Sequence, residues 1–357
     1  MVEIIHSKRI EFIDALRGVI MILIVLVHVA GFCFNIDAET PSIHSLVSPP
    51  RSTLPLFFFI SGFVMYKEYS FWTISCIKKF FYRKMSPLIL GTSVFFLSYL
   101  HLHSISIEEG ILSDSKCGYW FTYTLFLYYV AYMIVLFLCR YYKVGCIDFI
   151  HLFWGACIYL LAIPAIIDIL PISRNILNIA GVQHWGFYFF FVLGTLARKY
   201  YVHIEYYLDT RPVLLVCLCL FFLFNILSDL ITPLCWNFFR FVTALTGIVI
   251  MFAFFRTHES VFRKDRKLGR LLQFIGRRTL DVYFIHYFLL PVNAAKIFTV
   301  FHDYPMPVIE YVVSLSITIA IIALCLLFGA ILRLSPEISY WIFGVKKTST
   351  SAMAGIK

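Results

Sequence analysis

The chain is poor in charge: 14% of its 357 residues are Asp, Glu, Lys or Arg, where a soluble domain carries about a quarter. That deficit argues against a water-soluble globular protein, and no polar stretch is long enough for an attached soluble domain. Metal-ligand spacing is also lacking. The ten cysteines form no CxxC pair and no Cys/His cluster, so neither a zinc site nor a disulfide scaffold is indicated. Cys33, Cys139, Cys157, Cys217, Cys219 and Cys325 lie within apolar runs and read as small fillers. Cys117 and Cys235 fall in predicted external loops, where a pairing is chemically allowed. His101 and His103 have no carboxylate nearby in sequence, and no metal is expected. No internal repeat is visible, which counts against a transporter built from two related halves. No cleavable leader is expected, because the first apolar run is a full span with no small-residue cleavage site after it.

What the chain has is apolar residues, 61% of the total, with 18% aromatic. They come in runs of about twenty, long enough to cross a bilayer as helices. The pattern predicts an all-α, polytopic membrane bundle with ten spans, at 13–34, 53–69, 86–103, 119–139, 148–167, 184–199, 212–230, 237–255, 279–300 and 308–333. Residues 1–345 read as a single transmembrane domain and 346–357 as a disordered tail. With both termini inside, 25 of the 30 basic residues fall on the cytoplasmic side, leaving Arg51, Lys116, Arg174, Arg240 and Lys296 toward the other. That asymmetry predicts an N-in, C-in topology. It also accounts for the net charge of +10 without invoking nucleic acid. Segment 70–85 reads as an aromatic, basic interfacial helix, and 256–278 as a basic loop of similar character. Loops 35–52, 104–117 and 168–183 are candidate rims of an outward-facing cavity.

The first span holds the unusual chemistry. In FIDALRGVIMILIVLVH, Asp14 and Arg17 head the apolar run and His28 lies deep inside it. Ionisable groups in a span are costly and mark functional sites. Arg17 and His28 are eleven residues apart, close to three helical turns, and share one face with Asp14. The axial separation is roughly 16 Å. One helix face thus carries charge near one membrane surface and an imidazole well past it.

These residues, with others in order along the chain, resemble the acyltransferase-3 family of integral membrane O-acyltransferases. The Arg, ten residues, His signature preceded by Asp is similar to Arg17, His28 and Asp14. An aromatic pair before Ser-Gly in the second span is matched by Phe58, Phe59, Ser61 and Gly62. A basic segment before Pro at the third span is matched by Arg83, Lys84 and Pro87, in a form shorter than the family's usual doubled arginine. TLDVYFIHYFLLP, with Asp281, Tyr283 and His286, resembles the family's aromatic segment ending in His. The stretches around Trp120 and after His184 are similar as well.

The resemblance implies transfer of an acyl group, most often acetyl, from cytoplasmic acyl-CoA to a hydroxyl of a surface polysaccharide or its lipid-linked precursor. It implies the stand-alone type with no fused hydrolase-like domain, placed in a bacterial inner membrane. Acyl-CoA is expected as co-substrate, with no permanently bound cofactor. The expected partners are a carbohydrate or glycolipid acceptor and the bilayer, with a homo-oligomer left open. Acyl transfer to an alcohol needs a base and a donor for the developing oxyanion. His28 is the expected base, as a neutral buried imidazole; an acyl-histidine intermediate stays open. Arg17, oriented by Asp14, is expected at the CoA phosphates, since guanidinium suits phosphate; the alternative is an anchoring pair. Arg83 and Lys84 are expected to help there, or to be topogenic charge. Ser61 and Gly62 are expected to let the pantetheine arm pass, or to pack helices. Trp120, His184, Tyr283 and His286 are expected to meet the substrate. Asp281 is expected to pair with Arg277 or Arg278, and Asp229 is placed toward the acceptor. The competing reading is a polytopic transporter of a lipid-linked sugar or an organic anion.

Overall fold

The computed structural model describes residues 10–34, 50–66, 74–163, 166, 172–208, 210–230, 233–291 and 307–345; of Arg83, Asp229 and Cys235 it describes the backbone alone. The expected tail at 346–357, most of the loop 35–52 and the last residues of the span 279–300 lie outside the described residues. Those described form helices and no strand.

The helices are α1 (Glu11–Phe34), α2 (Pro50–Met65), α3 (Ile74–Phe80), α4 (Ser86–Leu102), α5 (Ile107–Leu112), α6 (Trp120–Tyr141), α7 (Ile147–Cys157) and α8 (Arg174–Ala180). They continue with α9 (Tyr188–Lys199), α10 (Tyr201–Leu208), α11 (Arg211–Leu230), α12 (Pro233–Thr257), α13 (Lys267–Arg277), α14 (Thr279–Leu289), α15 (Pro307–Leu332) and α16 (Pro336–Trp341). Among the described residues, 4 helices are long and apolar enough to cross a membrane, or up to 6 if each bent pair is one span. The ten apolar runs therefore do not map onto ten full-length described helices. Ser52–Met65, Ser86–Leu102 and Ile147–Ala162 are apolar but short, and α8 is bent by 43° against the helix that follows it.

A helix in lipid gains little from burying apolar side chains against other apolar groups, so close backbone packing carries more of the association. Two crossings here rely on paired glycines. A methyl group on Gly18 of α1 would overlap the Leu272 carbonyl of α13, and one on Gly276 would overlap the Asp14 carbonyl. Likewise Gly62 of α2 meets the Phe191 carbonyl of α9, and Gly194 of α9 meets the Phe59 carbonyl. The segment read as a basic interfacial loop thus contains a helix, α13. Its face of Gly269, Leu272, Ile275 and Gly276 is buried and clamps the start of α1.

The core is aromatic and divided in two. α1 and α2 contribute to both halves. Phe12, Leu16, Ile20, Phe59 and Phe63 face a cluster with α12 and α13, and Met21, Val25 and Phe58 face one with α6, α9 and α14. α1 is therefore enclosed on several sides, and its polar residues open onto internal space rather than onto lipid.

Candidate functional site

α14 runs parallel to α1, and each helix carries a polar stripe along the shared boundary. On α14, Thr279, Tyr283, His286 and Tyr287 fall at i, i+4, i+7 and i+8, one face of a helix. At one end Arg17 Nη2 donates to Thr279 Oγ1 at 3.0 Å. At the other, His28 meets both His286 and Tyr287. The two contacts set the register of one helix on the other. α14 is held further by Asp281, which is fully buried and accepts from Arg333, in the turn just after α15, from Nε at 2.9 Å and from Nη2. Arg278 stands 3.9 Å away. The expected partnership with Arg277 or Arg278 thus becomes mainly one with Arg333, which a sequence distance of 52 residues conceals. Tyr119 donates to the Phe284 carbonyl at 3.0 Å, and Tyr283 donates to the Gly118 carbonyl at 2.9 Å.

The hydrogen bonds around His28 determine where its lone pair points. His286 Nδ1 lies 2.9 Å from the Val282 carbonyl and 2.8 Å from the Tyr283 carbonyl. Carbonyls only accept, so that nitrogen carries the proton. With both rings neutral, His286 Nε2 is an acceptor, and His28 Nδ1–H donates to it across 3.2 Å. His28 Nε2 is then the bare nitrogen, and the Tyr287 hydroxyl donates to it at 3.1 Å. Gly118 holds Tyr287 in place. Its φ of +93° suits glycine, and a Cβ there would run into the Tyr287 ring.

Two cavities lie along the stripe. The first, about 150 Å³, is lined by Arg17, Ser61, Lys84, Thr122, Tyr129 and Thr279 among others. The second, about 110 Å³, is lined by His28, Thr53, Trp120, Gly118 and Tyr287 among others. Phe57, Phe121 and Tyr283 line both. Phe57 and Phe121 stand edge to face at 4.8 Å, with Phe121 and Tyr283 at 5.8 Å. These three rings form an aromatic septum between the Arg17 and His28 cavities.

The expected residues distribute as follows. Arg17, Ser61, Lys84 and Tyr283 line the first cavity. Lys84 reaches it from a π turn, Phe81–Met85, between α3 and α4; such turns rotate the side chains that follow out of α-helical phase. The Arg83 side chain lies outside the described residues. Ser61 donates back to the Phe57 carbonyl at 2.8 Å. Gly62 does not line the cavity. It packs at the crossing with α9, where a Cβ would meet the Phe191 carbonyl. Asp14 is buried under the carbonyl-to-glycine contact with α13. Trp120 lines the His28 cavity and stacks on His184, centroids 3.9 Å apart. His184 itself stands behind Trp120, tied to the Asp114 carbonyl at 3.3 Å. His286 is fully buried, meets His28 at 3.2 Å and lines neither cavity of the stripe.

Tyr287, Thr279, Phe57 and Phe121 belong to the site and were missed by sequence reasoning. The four-residue spacing from Thr279 through Tyr283 to Tyr287 was the available signal. The loops beside the His28 cavity are tied by Lys116, which donates to the Ile111 and Asn178 carbonyls at 2.7 Å each. Burial pulls its ammonium below the usual lysine range, with Asp114 opposing. No cluster of three or more metal-ligating side chains occurs among the described residues, and Cys117, Cys139, Cys146, Cys157, Cys217, Cys219 and Cys325 are free thiols.

A family model described as an acyltransferase domain matches residues 10–328. No curated protein and no solved structure matches the chain.

Proposed function

The chain belongs to the acyltransferase-3 family of integral membrane acyltransferases, and from that premise we propose that it transfers an acyl group, acetyl first, from acyl-CoA to a carbohydrate hydroxyl. The acceptor is a surface polysaccharide or a lipid-linked precursor. The protein works as a single ten-span domain with both termini inside, in a bacterial inner membrane. Acyl-CoA approaches the Arg17 cavity from the cytoplasm. The guanidinium and the Lys84 ammonium take the phosphates, and the slender arm that carries the thioester passes the septum of Phe57, Phe121 and Tyr283.

At the far end the acceptor hydroxyl displaces the Tyr287 hydroxyl from His28 Nε2. That nitrogen takes the hydroxyl proton as the oxygen bonds to the thioester carbonyl carbon. The tetrahedral oxyanion collapses, the carbon–sulfur bond breaks, and the departing thiolate takes the proton back from Nε2. His286 keeps His28 in the tautomer with its lone pair on Nε2. This is the orienting role that a catalytic histidine's second partner commonly plays. The freed Tyr287 hydroxyl is placed to donate to the oxyanion.

The observation that carries this reading is the chain of hydrogen bonds ending on the bare His28 Nε2, in register with Arg17 on the same helix face. The test uses purified protein with acetyl-CoA and an oligosaccharide acceptor, followed by release of free thiol and by thermal unfolding. Acetyl-CoA should raise the unfolding midpoint by mass action on the folded state. His28→Ala should keep that rise and lose thiol release. Thiol release at the native rate in His28→Ala would falsify the assignment of the base.

A further inference from the structure

The wall of the Arg17 cavity includes two residues far from the polar stripe in sequence, Phe343 and Gly344. Both lie beyond the residues that the family model matches, 10–328. The chain reaches them by a short strap: it turns at Arg333 after α15, passes through α16 and ends that helix at Trp341. The strap has a defined conformation. The Ser335 hydroxyl caps α16 by accepting from the Ile338 N–H at 3.4 Å. Past the helix, the N–H groups of Ile342, Gly344 and Val345 donate to the Ile338, Tyr340 and Ser339 carbonyls at 3.0, 3.1 and 3.0 Å. Gly344 makes the turn at φ +69°, in the left-handed region that glycine enters readily. Where the strap crosses α4 the helix carries Gly91, and a Cβ there would stand 3.1 Å from the Ile342 carbonyl.

Three side chains in line tie the strap to α14. Asp281, fully buried, accepts from Arg333 Nε and Nη2. The Arg333 guanidinium lies over the Phe343 ring, 4.3 Å from its centroid, a cation–π contact. Phe343 is itself buried and borders the Arg17 cavity. A buried ion pair is weak evidence for stability, because desolvation offsets much of the attraction, and its best-attested use is to select one arrangement over others. The arrangement selected here is the placement of Phe343 against the cavity.

The size of the cavity adds a constraint. Sites for small organic ligands measure about 300–1,000 Å³, whereas this one measures about 150 Å³, and acyl-CoA is a large member of that class. A wall must therefore give way. α1 and α2 are clamped by the close backbone crossings at Gly18 and Gly62. The strap is tied through the Asp281–Arg333 pair and the Phe343 ring, contacts that can be remade without moving a span. We infer that residues 336–345 are the closing wall of the acyl-CoA site: Phe343 and Gly344 touch the donor, and Arg333, held by Asp281, is the residue that positions them. The strap swings aside to admit the donor and settles back over it. The inference rests on the acyl-transfer reading, which assigns the donor to this cavity.

The experiment follows acetyl-CoA on the purified full chain in detergent, by equilibrium binding and by hydrogen exchange. Acetyl-CoA should slow exchange of segment 336–345 about tenfold, since a strap closed on a ligand opens less often. Phe343→Ala should weaken acetyl-CoA binding about tenfold, and Phe343→Tyr, which keeps the ring, should restore most of it. Arg333→Gln would leave the Asp281 charge buried without its partner and destabilise the fold for that reason alone. The positioning role is read instead from Arg333→Lys, which keeps the charge and loses the planar fork. That variant should raise KM for acetyl-CoA about fivefold, with kcat within twofold and the ligand-free unfolding midpoint near the native value. Unchanged exchange of the strap on adding acetyl-CoA, or native affinity in Phe343→Ala, overturns the inference and leaves the acyl-transfer reading standing. Native KM in Arg333→Lys together with a lowered unfolding midpoint overturns the positioning role. If the native protein binds no acetyl-CoA, the acyl-transfer reading falls and this inference falls with it.

Discussion

Arg17 and His28 share one face of one helix, yet their surroundings differ. Around Arg17 the polar groups converge from α1, α2, α6, α14 and the π turn before α4, and they line open space beside Ser61, Thr122 and Lys84. Around His28 the polar groups bond to one another in a fixed sequence, His286 to His28 to Tyr287, inside a smaller cavity walled by aromatic rings. The first arrangement suits a highly charged ligand that brings its own acceptors. The second suits proton transfer, where one lone pair must already be aimed. The septum of Phe57, Phe121 and Tyr283 keeps the two environments apart.

If that division holds, the largest effect belongs to His28. His28→Ala should lower the rate of acyl transfer by about a thousandfold, within the usual range for a lost general base. Acyl-CoA affinity, read by equilibrium binding, should stay within about twofold, since a base that does not hold the ground state adds no uniform binding. A large loss of affinity would mean that the outer cavity also holds the donor, and the comparison would collapse.

Next is His286, where a positioning role and a packing role make different forecasts. His286→Leu restores volume but removes the acceptor for His28 Nδ1–H. His28 is then free to turn or to carry its proton on Nε2, and kcat should fall by about a hundredfold, less than loss of the base itself. His286→Gln offers a carbonyl oxygen in place of Nε2 and should recover a large part of that loss. If Leu and Gln behave alike in kcat while both lower the unfolding temperature, His286 is only a buried filler.

The face shared by Asp14, Arg17 and His28 was legible in the chain because eleven residues make three turns whatever surrounds the helix. The stripe on α14 was half legible: Thr279, Tyr283 and Tyr287 repeat every four residues, but nothing local says that this face meets α1, in parallel and in register. Gly62 shows the limit from the other side. A small residue reads the same whether it clears a path for a ligand or admits a neighbouring backbone, and only the position of α9 separates the two. The Asp281 pairing was legible in part for a similar reason: Arg278, three residues away, stands 3.9 Å off, but the hydrogen-bonded partner Arg333 is distant in sequence. Hydropathy indicated a helical membrane protein, but it cannot distinguish a full span from the short, bent and π-interrupted helices at Ser52–Met65, Arg174–Lys199 and Ile147–Ala162.

Arg17 tests the other end of the comparison. Arg17→Ala should weaken acyl-CoA binding by about thirtyfold, the equivalent of roughly 2 kcal/mol for a charge-assisted contact. Arg17→Lys should recover only part of it, because an ammonium cannot make the bidentate contact. The discriminating ligand is dephospho-CoA. If Arg17 holds the 3′-phosphate, native protein should bind dephospho-CoA about as poorly as Arg17→Ala binds CoA. If it holds the diphosphate, the two losses should multiply.

The smallest effect should come from Thr279→Val, and it bears most directly on whether the two ends are separate. Thr279 is buried, and its hydroxyl oxygen accepts from Arg17 Nη2 at 3.0 Å. Valine keeps the shape and removes the acceptor. One hydrogen bond of net worth about 1 kcal/mol should be lost, so acyl-CoA affinity should fall about fivefold as the guanidinium loses one of its guides. kcat should be unchanged if Thr279 serves Arg17 alone. But Thr279 also begins the helix whose far end presents His286 and Tyr287 to His28, roughly 12 Å along the axis. If the same substitution lowers kcat and spares affinity, the Arg17–Thr279 bond acts on the register of α14. Arg17 would then be part of the support for the base, and binding of the donor would be a means of aligning it.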